Sequence, residues 1–201
     1  MAKVVAPSRT PRVAVIAGPN VAGKTTYAKV LLERLGIEHF VNADVIAQGL
    51  SGMNPASVAI EAGRLMLGRI RDLANSRSDF AFESTLSSRS FALFLRNLKI
   101  SGYRIELYYL ALASPQLAQK RVRLRVKLGG HSIPEDVVSR RFYRSLSNLF
   151  ELYLPLANTW TIFDNADTKT PSTIAVKFER VQGIVNQHKW QRLQEMAQKA
   201  K

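Results

Sequence analysis

Cysteine is absent from the 201 residues, which excludes disulfides, thiolate metal sites and cysteine nucleophiles. Histidine is scarce at three, so a zinc site built on imidazoles is not expected. No apolar run is long enough to span a bilayer. The basic opening stretch 1–11 lacks the apolar centre of a secretory signal and reads as a disordered leader. Acidic residues are in deficit, 15 against 29 lysines and arginines, giving a formal net charge of +14. A field of that sign draws phosphorylated ligands or nucleic acid. Its surplus gathers in 120–127 and 139–144, not in a tail, while the interleaved aromatics on which single-strand binders stack bases are missing. Length and a hydrophobic content of 46% suit one domain over 1–201.

What is present is concentrated first in 18–25, Gly-Pro-Asn-Val-Ala-Gly-Lys-Thr, which meets every fixed position of G-x-x-x-x-G-K-[ST]. An apolar, β-branched run at 13–17 precedes it and reads as a buried parallel strand. An amphipathic pattern over 26–35 follows, with Val30, Leu31 and Leu35 able to face a core. Strand, glycine loop and helix form the context in which this spacing binds phosphate. Glycines at 18 and 23 let successive N–H groups converge on one anion at a helix N-terminus. Lys24 adds a mobile charge for the β- and γ-phosphates, and the Thr25 hydroxyl is a Mg²⁺ ligand. The chain is expected to bind a nucleoside triphosphate.

Further strands are predicted at 38–43, 79–82, 104–112 and 160–163, alternating with helical patterns at 55–74, 87–99, 114–129 and 133–153. Val58, Ala62, Leu65, Leu67 and Ile70 are the apolar residues available for burial in 55–74. This alternation predicts an α/β fold with a parallel sheet. From 171 to 199 a polar, basic helical pattern closes the chain.

In such sheets functional groups collect where strands end. Three polar sets lie there: Asn42-Ala43-Asp44, Glu83-Ser84-Thr85 and Asp164-Asn165. Asp44 is placed to act as general base toward an acceptor hydroxyl, or equally to cap the following helix. Glu83 could hold a substrate hydroxyl, orient a water on Mg²⁺, or pair with an arginine as a structural carboxylate. Ser84 and Thr85 suit a ligand or the cap of the next helix. Arg121 and Arg125 are stacked at i,i+4, as are Arg140 and Arg144 with Arg141 beside them. An anion clamped by both segments would relieve that repulsion. Gly129-Gly130-His131 would then hinge a lid over 120–144. Arg123 and Arg140 are expected to be solvated surface residues.

With these positions in view the sequence resembles the zeta toxin family of P-loop kinases. The likeness runs through 18–25, Asn42-Ala43-Asp44, Glu83-Ser84-Thr85-Leu86, 129–134, Arg140-Arg141 and Asp164-Asn165. It implies an adenylate-kinase-like, five-stranded parallel sheet flanked by helices, with ATP and Mg²⁺ as cofactors. The family transfers the γ-phosphate of ATP to a hydroxyl of UDP-N-acetylglucosamine, and an antitoxin protein is an implied partner. Carried over by position, the nucleotide set is Gly18, Pro19, Asn20, Val21, Ala22, Gly23, Lys24, Thr25 and Thr26, with Asn165. Thr25 is the metal ligand. Asp44, Lys24, Arg125 and Arg141 take catalytic roles, and Asn42, Asp44, Glu83, Thr85 and Arg144 face the acceptor. Ser-Thr-Leu after Glu83, where sugar-nucleotide kinases show a Gly-Thr-like turn, and the compact Gly-Gly-His lid depart from the family pattern.

The expected activity is therefore phosphoryl transfer to a small-molecule hydroxyl in the cytoplasm, where the triphosphate is. A polynucleotide kinase and a non-catalytic, nucleotide-dependent binding protein are the alternatives. A transporter ATPase would need a serine-glycine-rich signature and an apolar strand ending in Asp-Glu, and neither occurs.

Overall fold

The computed structural model describes residues 9–130, 132–167 and 170–199. The leader expected over 1–11 falls outside the described residues up to position 8, as does the hinge histidine His131. Its last residues join the sheet: Arg9 pairs with Asp79, and the Pro11 carbonyl accepts from the Arg104 N–H.

Strand β1 (Arg12–Ala17) leads through the glycine loop into α1 (Lys24–Leu35). Then come β2 (His39–Val41), α2 (Ala43–Leu50), a 3₁₀ turn (Pro55–Val58) and α3 (Ala59–Asn75). Next are β3 (Phe80–Ser84), α4 (Ser90–Ile100), β4 (Arg104–Ala111), α5 (Pro115–Lys127) and α6 (Glu135–Asn148). A π-helical turn (Leu149–Tyr153) and the short α7 (Leu154–Leu156) precede β5 (Thr159–Asp164). The chain continues as β6 (Ser172–Phe178), β7 (Val181–Ile184) and α8 (Gln187–Gln198).

The sheet order is β2-β3-β1-β4-β5-β6-β7. The first five strands are parallel, as expected, with Val15 beside both Phe82 and Leu107. Helices cover both faces, so Val13 to Ala17 and Phe80 to Phe82 are all buried. After β1 the chain crosses to one side of the sheet, and after β3 to the other. A crevice therefore opens at the carboxyl ends around β1.

The region from 171 departs from the helical expectation. It forms two antiparallel strands that extend the sheet, and only Gln187–Gln198 is helical. Thr173, Ile174, Val176 and Val181 are β-branched and favour the pleated sheet over a helix. Asn186 caps the helix, accepting from the Lys189 N–H at 3.0 Å. Trp190 then stacks on Trp160 at 5.9 Å and fixes α8 against the sheet. Helix α3 also sits rotated from its expected face: Ala62, Met66, Ile70 and Leu73 are buried, while Leu65 and Leu67 are exposed. The buried set repeats every three to four residues, the period of one helical stripe. On α1, Leu31 is buried, Leu35 is half-buried and Val30 is exposed.

Candidate active site

The glycine loop is a preformed anion cradle. At Gly18, φ is +147°, and a Cβ there would lie 2.4 Å from the Leu110 carbonyl oxygen. Backbone cannot give way as a flexible side chain can, so only glycine fits. Gly23, at φ +83°, leaves the same kind of room for the Asn165 amide, 2.6 Å from where a Cβ would stand. Val21 is held at φ +57°, a conformation costly for a β-branched residue and enforced by its surroundings. No side chain caps the first turn of α1, and no acid stands in it. Its N–H groups face the loop open to an anion. Asn20 Oδ1 is buried without a hydrogen-bond partner among the described residues. Lys24 is buried and donates to the Pro19 carbonyl at 3.0 Å. Burial pulls its ammonium below the ordinary lysine range, while Glu83 and Asp44 oppose that shift.

Glu83 ends β3 directly beside the cradle. Its Oε2 accepts from the Thr25 hydroxyl and from Asn42 Nδ2, both at 2.8 Å, and Oε1 lies 3.6 Å from Lys24 Nζ. Glu83 thus meets a lysine and a hydroxyl, not one of the arginines among the alternatives. Hydroxyl and carboxylate together make a hard-oxygen pair of the kind that Mg²⁺ takes. No cluster of three or more acidic or imidazole side chains forms a metal cage among the described residues.

Asn42, not Asp44, caps α2: its Oδ1 accepts from the Asp44 N–H at 2.8 Å and from the Val45 N–H at 3.4 Å. The Asp44 carboxylate is thereby freed from capping. It stands exposed in the first turn of α2, on the rim of the cleft that holds Lys24, Thr25 and Glu83. Ser84 and Thr85 do not cap α4, which begins at Ser90. Ser84 Oγ accepts from the Leu86 N–H at 3.1 Å, and Thr85 shares a hydrogen bond with Ser87 at 2.8 Å while lining the cleft.

The arginines divide by role. Arg125 from α5 and Arg141 from α6 line the same cleft of about 420 Å³ as the loop and Asp44. Arg121 does not face it as the paired-clamp expectation required. Its guanidinium donates to the Asn165 and Ala166 carbonyls at 2.9 and 2.8 Å and to Val21 at 3.4 Å. Arg144 lies exposed on α6, off the cleft lining, so the structure does not bring it to the expected acceptor set. Arg144 shares roughly one face with Arg141 but lies three residues, about 4.5 Å, further along the helix axis. Arg123 and Arg140 are exposed and pair with Glu135 and Asp136.

A second hollow of about 470 Å³ adjoins the first on the β4–β5 side. Tyr27, Val30, Leu124 and Leu128 give it apolar walls, and Asn165 and Pro171 close it. Asn165 is itself buried, donating from Nδ2 to the Ala22 carbonyl at 2.7 Å and from its backbone N–H to Ala111 at 2.9 Å. It braces the loop from behind. Lys189 of α8 holds this turn through Asp164 at 2.6 Å, and Asp164 Oδ1 accepts from the Ala166 N–H at 2.9 Å. Sequence reasoning missed Lys189, Met66 and Phe91. No motif marks them, because their positions depend on how α8, α3 and α4 pack.

Comparison with known proteins agrees with this fold. A family model described as Zeta toxin matches residues 1–170. An uncharacterised protein of Haemophilus influenzae is 30% identical over 125 residues, 62% of this chain and 88% of that protein. The AvrRxo1-ORF1:AvrRxo1-ORF2 complex with sulphate ions has a chain of similar fold, TM-score 0.73 at 19% identity. The match covers 92% of this chain but 63% of that one, and the same complex has been solved with ATP. A structure of the PezAT chromosomal toxin-antitoxin system of Streptococcus pneumoniae gives a TM-score of 0.62 at 15% identity, covering 98% of this chain and 90% of that chain. With the match spanning most of the chain and the P-loop kinase fold in place, the protein belongs to the zeta toxin family.

Proposed function

We propose that the protein is an ATP- and Mg²⁺-dependent kinase that transfers the γ-phosphoryl group to a hydroxyl of a small molecule. The observation that carries this reading is one cleft lined by Lys24, Thr25, Asp44, Glu83, Arg125 and Arg141. The loop N–H groups and Lys24 hold the β- and γ-phosphates, and the base lies in the adjoining hollow. Asp44 orients the acceptor hydroxyl and takes its proton as the new O–P bond forms. The bond from γ-phosphorus to the bridging oxygen breaks, and its electron pair leaves with ADP. Arg125 and Arg141 stabilise charge spreading over the transferring group. Mg²⁺, when bound at Thr25 with Glu83 behind it, would supply neutralising charge on the phosphate oxygens.

The protein is proposed to work in the cytoplasm, where ATP is available. An antitoxin partner is proposed by likeness to the PezAT system. The test is incubation with γ-labelled ATP and a metabolite extract. The reading predicts a labelled product that requires Mg²⁺ and disappears in Asp44→Asn. Hydrolysis to free phosphate alone, unchanged by that substitution, would overturn it.

A further inference from the structure

The cleft has two ends, and the sheet order tells them apart. The base hollow lies over β4 and β5, whereas the remaining lining comes from elements flanking β2 and β3. On that acceptor side stand Asn42 and Asp44 from the start of α2, Met66 from α3, Thr85 after β3, and Phe91 from α4. The cations lining the cleft are Lys24, Arg125 and Arg141, all committed to the triphosphate in the reading above. None comes from the acceptor wall, where the charges are the carboxylates of Asp44 and Glu83.

The sequence makes the same point independently. In a chain of 29 lysines and arginines, residues 35–63 contain none, though they include three acids, Glu38, Asp44 and Glu61. This stretch runs from β2 into the first turn of α3 and carries Asn42 and Asp44 of the acceptor wall; Met66, Thr85 and Phe91 lie beyond it, with Arg64 and Arg89 nearby in sequence but off the cleft lining. A diphosphate or polynucleotide acceptor would meet the Asp44 carboxylate there, while the Lys24 ammonium beside Glu83 is committed to the triphosphate. Phe91 instead offers an aromatic surface, half-buried and stacked on Phe82 at 5.0 Å, with Met66 beside it. Thr85 and Asn42 supply polar contacts. Ligand pockets run to about 300–1,000 Å³. A cleft of about 420 Å³ shared with phosphates leaves room for a monosaccharide- or nucleoside-sized molecule.

We propose that the acceptor is an uncharged, ring-bearing polyhydroxy compound of that size, seated on Phe91 and Met66, and not a nucleoside diphosphate sugar. This rests on the kinase reading. The balanced step is R–OH plus ATP giving R–O–PO₃²⁻ plus ADP, with the hydroxyl proton passing to Asp44 and then to water. Phe91 is a specificity-determining residue, because it contacts the acceptor ring and not the reacting atoms.

The test splits a metabolite extract by anion exchange into unretained and retained pools. Each pool is incubated with the full chain, Mg²⁺ and γ-labelled ATP, and UDP-N-acetylglucosamine is run alongside. Label should enter compounds from the unretained pool, and transfer should change less than about threefold as salt rises, unlike a polyanion contact. With the labelled compound purified, Phe91→Ala should raise its KM about tenfold or more. Phe91→Leu, which keeps the packing on Phe82 but removes the ring, should do the same, with KM for ATP held within about threefold. Labelling from the retained pool or of the UDP-sugar, or an acceptor KM unmoved by Phe91→Leu, overturns this proposal and leaves the kinase reading standing. Absence of Asp44-dependent label from both pools overturns both.

Discussion

Substituting Glu83 by glutamine would test how the cradle is held before any nucleotide arrives. The Lys24 ammonium is buried and the Glu83 carboxylate nearly so, with side chains 7% and 10% exposed. Neutralising one partner of a buried pair costs about 3–5 kcal/mol when the other charge is stranded. Lys24 is not fully stranded, since it still donates to Pro19 and feels Asp44. The cost should therefore fall to about 2–3 kcal/mol. For a chain of this length that corresponds to a fall in Tm of about 4–12 °C. The sign with pH follows from the already lowered lysine pKa. Inside the fold the variant's Lys24 sheds its proton at a pH where the unfolded chain still keeps it, so stability lost at neutral pH returns as pH rises toward 10.5. ATP phosphates replace the missing carboxylate as partner for Lys24, so saturating ATP should narrow the Tm gap to wild type. The pair Lys24→Met with Glu83→Gln should be less destabilised than Glu83→Gln alone, a coupling that a double-mutant cycle reads directly. A variant as stable as wild type without ATP, or a gap that ATP leaves unchanged, would show that Glu83 does not hold Lys24 in the unliganded cradle.

Three further substitutions probe other joints of the site. Gly18→Ala should abolish detectable ATP binding in calorimetry and destabilise the fold by about 2–4 kcal/mol, because its Cβ meets the Leu110 carbonyl at 2.4 Å. Lys189→Met should raise KM for ATP about threefold to tenfold with little change in kcat, since Lys189 acts on the nucleotide only through the Asp164–Ala166 turn; equal losses in kcat would contradict that positioning role. Burial pushes the Tyr153 phenol up to about 12, so the folded state keeps its proton where the unfolded chain loses it near pH 10. Stability present below pH 10 should therefore decline between about pH 10 and 12, and denaturant titrations of Tyr153→Phe should show a shallower decline.

Much of the site was legible because phosphate binding needs a contiguous motif. Gly18, Gly23, Lys24 and Thr25 work within one turn of backbone, so their spacing alone announces the cradle. Asp44 and Glu83 were legible as strand-end acids, but the division of labour between them was not. That Asn42 caps α2 while also donating to Glu83 is a three-dimensional fact, and the sequence left capping to Asp44 equally plausible. The arginines show the same boundary. Spacing at i,i+4 put Arg121 and Arg125 on one helical face, yet the structure gives Arg121 to backbone carbonyls and Arg125 to the cleft. The C-terminal hairpin was misjudged because lysines, glutamines and arginines around it resemble a polar helix. Burial of Ile174 and Ala175 beside β5 decides the strand instead.

The most direct measurement pairs ATP calorimetry with γ-label transfer in Asp44→Asn. If the exposed carboxylate is the base for an acceptor hydroxyl, ATP affinity should stay within about threefold while transfer falls by about 10²–10⁴. Transfer retained within tenfold of wild type, or ATP affinity lost together with transfer, would remove Asp44 from the chemistry and the kinase mechanism with it.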